Sequence, residues 1–107
     1  MLKNYTVMIV ALWLMMSVQS CPTECRCDNR NRVYCNNRDL TKIPSNIPVH
    51  TKILYLQDNE LTSTTQLERE LGHLTYLERL MLYNNRLDTF PKLRSKYLRE
   101  LRINKNR

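Results

Sequence analysis

Glycine is nearly missing from this sequence of 107 residues: Gly72 stands alone. A phosphate-cradling loop, a dinucleotide fingerprint or a nucleophile elbow each needs several glycines for close backbone approach, so nucleotide enzymes are disfavoured. Long apolar runs are missing too. The longest, Val7 to Met16, has ten residues against the ~20 that cross a bilayer, so no membrane span is expected. His50 and His73 are isolated, with no second ligand four residues on, and the paired CxxC steps of a zinc ribbon are absent, which disfavours a metal site. No Ser, His and Asp set or facing pair of carboxylates is apparent, Glu68 and Glu70 reading as neighbours on a turn. The expectation is therefore no enzyme, no catalytic residue and no cofactor. Beyond residue 20 there is neither an Asn-x-Ser/Thr acceptor nor a Ser-Gly dipeptide, so this part should carry no attached glycan.

What is present begins with a leader. Lys3 gives a basic start, the apolar run follows, and Val18-Gln19-Ser20 offers small residues at the cleavage positions. This is the pattern of a secretory signal peptide over residues 1–20, implying a secreted, extracellular product beginning at Cys21. A membrane anchor is too long for this run, and a lipidated bacterial cysteine fits poorly with the cysteines that follow. Removal of the leader takes Trp13 and every methionine but Met81. The core left behind should be mostly Leu, Ile and Tyr.

The organising stretch is Leu77-Glu78-Arg79-Leu80-Met81-Leu82-Tyr83-Asn84-Asn85-Arg86-Leu87. Its template, LxxLxLxxNxL, recurs from Thr51 to Leu61 and from Leu98 to Asn106, and is the signature of a leucine-rich repeat. In each copy the LxL step is a short strand with alternate side chains inward, and Asn59, Asn85 or Asn106 follows where the chain turns out of it. Stacked copies predict an α/β solenoid with short parallel strands on a concave face and an asparagine ladder beside them.

Cys21, Cys25, Cys27 and Cys35, behind a signal peptide, are more economically two disulfides than a zinc site, and sequence alone leaves three pairings open. The run CPxxCxC, followed by Cys35-Asn36-Asn37-Arg38-Asp39-Leu40-Thr41-Lys42-Ile43-Pro44 and by Ile47-Pro48, resembles the N-terminal cysteine cap of extracellular leucine-rich-repeat proteins. The resemblance implies Cys21 with Cys27 and Cys25 with Cys35. A solenoid has an exposed apolar end, and such a cap covers it, held by disulfides for want of its own core. Val33-Tyr34-Cys35 is its expected inner strand, paired with Leu54 to Leu56. The domain plan is signal peptide 1–20, cap 21–50, and about three repeats over 51–107, the last incomplete.

Asn59 to Asn85 is 26 residues and Asn85 to Asn106 is 21. Leu67, Leu71 and Leu74, spaced by four and three, predict a helical turn or two on the convex side of the long unit. Phe90-Pro91-Lys92-Leu93 predicts an extended return in the short one. Mixed lengths behind this cap resemble the small leucine-rich matrix proteoglycans. Adhesion receptors and Toll-type ectodomains share the cap with more uniform repeats. The sequence stops after the third Asn, without a convex return or a second cap, and a truncated gene model or a fragment is expected.

Outward strand positions form columns on the concave face: Tyr55, Met81 and Arg102; Gln57, Tyr83 and Asn104; Ile53, Arg79 and Glu100; Asp58, Asn84 and Lys105. Tyr, Met and Arg are enriched at protein interfaces, so Tyr55, Gln57, Arg79, Met81, Tyr83 and Arg102 are the candidate contacts for an extracellular protein ligand. The net charge is +7, and its excess gathers near the end in Lys92, Arg94, Lys96, Arg99, Arg102 and Lys105. That set is a candidate surface for a sulfated glycosaminoglycan or anionic cell surface, an attraction weakened by salt. Nucleic acid is a poor partner for a secreted chain. The leading function is a secreted binding module of the matrix or cell surface. Its alternatives are the N-terminal piece of an adhesion or signalling receptor, and a small basic effector or inhibitor.

Overall fold

The computed structural model describes residues 20–106. The expected signal peptide lies outside the described residues except for Ser20, and so does Arg107.

Alternation of apolar and polar residues produces very short strands, the three-residue ones turning their middle side chain toward the core. They are β1 (Arg26–Cys27), β2 (Arg32–Tyr34), β3 (Ile53–Tyr55), β4 (Arg79–Met81) and β5 (Glu100–Arg102), with one helix among the described residues, α1 (Thr64–Leu71), between β3 and β4. The strands form a single sheet in the order β1-β2-β3-β4-β5. β1 and β2 are antiparallel, and every later pair is parallel. Val33, Leu54, Leu80 and Leu101 stand opposite one another, so one inward row runs through the cap and all three repeats. The cap strand thus pairs as expected but begins one residue earlier. Pairing continues beyond the strands: Cys35 N–H donates to Tyr55 O at 2.8 Å, Leu56 N–H to Met81 O at 2.9 Å, and Leu82 N–H to Arg102 O at 2.7 Å.

The core is a leucine stack, Leu54, Leu56, Leu61, Leu67, Leu74, Leu77, Leu80, Leu82 and Leu87, extended into the cap by Val33, Cys35, Ile43 and Ile47. The expected tyrosines are not in it: Tyr34, Tyr55 and Tyr83 are half-buried, and Tyr76 and Tyr97 are exposed. The physical reason is that every inward position in so thin a layer is taken by an aliphatic side chain, while a phenol needs a partner for its hydroxyl.

On the convex side α1 covers two of the three predicted leucines, Leu67 and Leu71, both buried, while Leu74 lies beyond its end and is buried from the turn that follows. Ser63 caps it, its Oγ accepting from Gln66 N–H at 3.1 Å. Gln66 ties the helix to the cap link by accepting from Ile43 N–H and donating to Ile43 O, each at 3.1 Å. The shorter second unit has no room for these two turns and returns without regular structure, Pro91 buried and Phe90 exposed.

The asparagines link the rungs. Asn85 Nδ2 donates to Leu82 O of its own rung and Leu56 O of the rung before, each at 3.0 Å, and its Oδ1 accepts from Leu61 N–H at 3.1 Å. Asn59 joins Leu56 O to Cys35 O of the cap, and Asn106 joins Ile103 O to Leu82 O. The residue before each turns left-handed: Asp58 at φ 61°, Asn84 at 57° and Lys105 at 59°, with Asn37 of the cap at 54°. Asn and Asp tolerate this region best after glycine, which is how a chain with one glycine makes the sharp turn in the cap and the first two repeats, while in the third Lys105 takes the same conformation.

Candidate binding surface

Parallel register turns sequence spacing into columns. Tyr34, Tyr55, Met81 and Arg102 lie opposite one another, as do Arg32, Ile53, Arg79 and Glu100. The columns read from the repeats alone therefore extend into the cap. The structure adds three residues that sequence reasoning did not place there, namely Arg26, Arg32 and Tyr34. Tyr34 stacks on Tyr55 with centroids 4.7 Å apart and planes 4° from parallel, and Arg26 lies 4.6 Å above the Tyr34 ring. This cation and ring column offers a rigid, half-buried surface with a polar rim, the composition that carries binding energy at protein interfaces. A signal existed in Val33-Tyr34-Cys35, whose middle residue is outward when its neighbours face in.

Charge on this face is balanced locally. Glu100 stands between two arginines, at 3.5 Å from Arg79 Nε and 2.8 Å from Arg102 Nε. In the cap, Arg32 Nε donates to Asp28 Oδ2 at 2.6 Å. Burial alone would raise the Asp28 carboxyl, but the Arg30 and Arg32 backbone N–H groups and the Arg32 guanidinium hold it below its ordinary value of 3.8. The Arg32 guanidinium is correspondingly raised, chiefly by its hydrogen bond to Asp28. Gln57 encloses its Oε1 without a hydrogen-bond partner among the described residues, so its amide is turned inward. Met81 and Tyr83 are half-buried beside it.

The basic residues near the end of the chain do not gather into one patch. Lys92 and Arg94 line a shallow convex groove with Glu68 and Arg69, the Lys92 backbone N–H donating to Glu68 Oε1 at 2.8 Å. Lys96 and Arg99 lie where the chain enters β5, Arg99 paired with Glu78 at 3.2 Å. Arg102 is on the concave face, and Lys105 is at the opposite edge beside Asn84 and Arg86. Folding a contiguous sequence around a solenoid spreads it over four faces. The four cysteines, by contrast, do come together, Cys21 bonded to Cys27 and Cys25 to Cys35, the pairing the resemblance implies.

The fold and its disulfide-bonded end define a leucine-rich repeat solenoid with a cysteine-rich N-terminal cap. Residues 20–48 match the family model of the leucine rich repeat N-terminal domain. The chain thus carries the leucine rich repeat N-terminal domain, and its repeats are similar to those of leucine-rich repeat proteins. It is 39% identical over 88 residues to the mouse leucine-rich repeat transmembrane protein FLRT2, covering 81% of this chain and 13% of that protein. Human leucine-rich repeat-containing protein 4B is 43% identical over 55% of this chain and 9% of its own length. Mouse podocan is 42% identical over 63% of this chain and 11% of its length. The fold matches a chain in an octameric complex of latrophilin 3, Unc5D and FLRT2 with a TM-score of 0.70 and 41% identity, over 80% of this chain and 26% of that one. The chain thus spans only a small part of the relatives it matches.

Proposed function

We propose that this chain is a protein-binding module acting outside the cell, which engages an extracellular protein through its concave face. It works by recognition alone, without a catalytic step or cofactor. The observation that carries this reading is the continuous outward column from Arg26 through the stacked Tyr34 and Tyr55 to Met81 and Arg102. Rigid aromatic and Arg side chains on a pre-formed sheet lose little entropy on binding. The FLRT2 structure supports it, since that protein is assembled with the proteins latrophilin 3 and Unc5D. Secretion follows if the leader is cleaved. The second reading, the outermost part of an adhesion or signalling receptor, is favoured because FLRT2 is named a transmembrane protein. A sulfated glycosaminoglycan is the finer partner proposed for the basic residues. Their dispersal, with Arg99 and Arg102 already in ion pairs, favours protein as the main ligand.

The test is surface binding of the chain to a panel of purified extracellular proteins that includes latrophilin 3 and Unc5D. Tyr83→Ala and Arg102→Ala should weaken the captured interaction by about tenfold each while leaving secretion intact. Unchanged binding in both variants, or loss of secretion, would count against the concave face. A heparin fragment should compete only at low salt.

A further inference from the structure

The edge where the chain enters its strands carries a second ordered surface. In three successive units the same turn precedes the strand, closed by Thr51 N–H to Pro48 O at 3.1 Å, Leu77 N–H to Leu74 O at 3.2 Å and Leu98 N–H to Ser95 O at 3.4 Å. The third residue of each turn is aromatic or imidazole: His50, Tyr76 and Tyr97. Repetition of the turn stacks these rings outside the core, His50 to Tyr76 at 5.6 Å and Tyr76 to Tyr97 at 6.2 Å, the latter pair within 10° of parallel. Ser95 fixes the last turn to the preceding unit, its Oγ donating to Leu77 O at 2.6 Å.

This strip holds most of the large apolar surface left to solvent. Of the four exposed large hydrophobic residues described, Val49, Tyr76 and Tyr97 lie on it, Tyr76 being 47% and Tyr97 50% accessible. Exposed aromatics in an ordered row rimmed by charge mark an interaction surface more often than a solvated one. The rim is cationic. Lys96 lies 5.6 Å from the Tyr97 ring centroid, and Lys52, Glu78 and Arg99 follow the rings in the next column, with Glu78 already paired to Arg99.

We propose that this edge is a docking surface distinct from the concave face, and that its occupant is an extended acidic segment of another protein. Carboxylates on the segment meet Lys52 and Lys96, and its apolar side chains lie against the ring edges of Tyr76 and Tyr97. A second copy of this chain would set one cationic rim against another. A sulfated glycan, densely charged, calls for a dense cationic patch, and here Arg99 is already paired with Glu78.

The test uses the full chain with both disulfides closed, titrated with an alternating Glu–Leu decapeptide while the aromatic ring signals are followed by NMR. The rings of His50, Tyr76 and Tyr97 should shift saturably while those of Tyr34 and Tyr55 stay in place. Affinity should fall about tenfold in the Tyr76→Ser, Tyr97→Ser double variant and be retained with Phe at both positions. Should the serine variant melt early, Lys96→Glu replaces it and should weaken binding of the same peptide. The proposal is overturned by no shift, by shifts at Tyr34 and Tyr55 instead, or by an equal response to a Lys–Leu peptide. Tighter binding of a heparin fragment at the edge would overturn it in favour of glycan. Self-association abolished by the serine pair would overturn it in favour of a second copy.

Discussion

Asn85 uses both ends of its side-chain amide to join neighbouring rungs. Its amide reaches carbonyls of two rungs and its oxygen takes a third partner, and the residue is almost completely buried. Asn85→Ala should lower stability by about 1–3 kcal/mol, because buried backbone groups lose their partner without gaining water. Leu80→Ala, at a fully buried position, should cost about 2–5 kcal/mol through the cavity it leaves. Urea unfolding of the two variants checks both. Asp28 makes a different kind of prediction. A carboxyl whose folded value is depressed contributes stability that is complete above its unfolded value and is lost as pH falls through the folded one. The melting temperature of the native chain should therefore drop on acidification below the ordinary carboxylate range, and Asp28→Asn should flatten that drop.

At the scale of elements, one helix is enough to lengthen a repeat. α1 exists because Leu67 and Leu71 share one face, both buried against the leucine stack, while Ser63 satisfies an otherwise orphaned N–H at the start. Ser63→Ala should destabilise by about 1 kcal/mol, and Gly in its place by only a few tenths, measured by thermal melting. The helix was legible from the spacing of its leucines, and so was the lack of one in the shorter unit. The antiparallel pair β1–β2 was not. Two residues of strand carry no periodic signal, and Arg26 is placed over Tyr34 only because β1 folds back in register with it.

Across the whole molecule each rung pairs only with its sequence neighbours, so stability is a sum of local interfaces. Leu54 and Leu80 are fully buried, whereas Leu101 and Ile103 of the last rung are only half-buried. The Leu82 amide, bonded to Arg102 O in that rung, should exchange with solvent about tenfold faster than the Leu56 amide, bonded to Met81 O. Hydrogen exchange read by NMR checks this order.

The sequence by itself determined the repeat unit, the inward leucines, the asparagine ladder and the columns of the concave face. All of these follow from a local period of two within a recurring template, and stacking copies in parallel repeats the same side chain at the same height. Tertiary structure alone decided what joins across units and where charge ends up. It carried the concave column into the cap at Tyr34 and Arg26, dispersed the basic residues from Lys92 to Lys105 around the solenoid, and brought His50, Tyr76 and Tyr97 into one row. The ring contacts join residues about twenty or more positions apart and arise only when the register of the stack sets one unit above the next, while Arg26 reaches Tyr34 only because β1 folds back on β2.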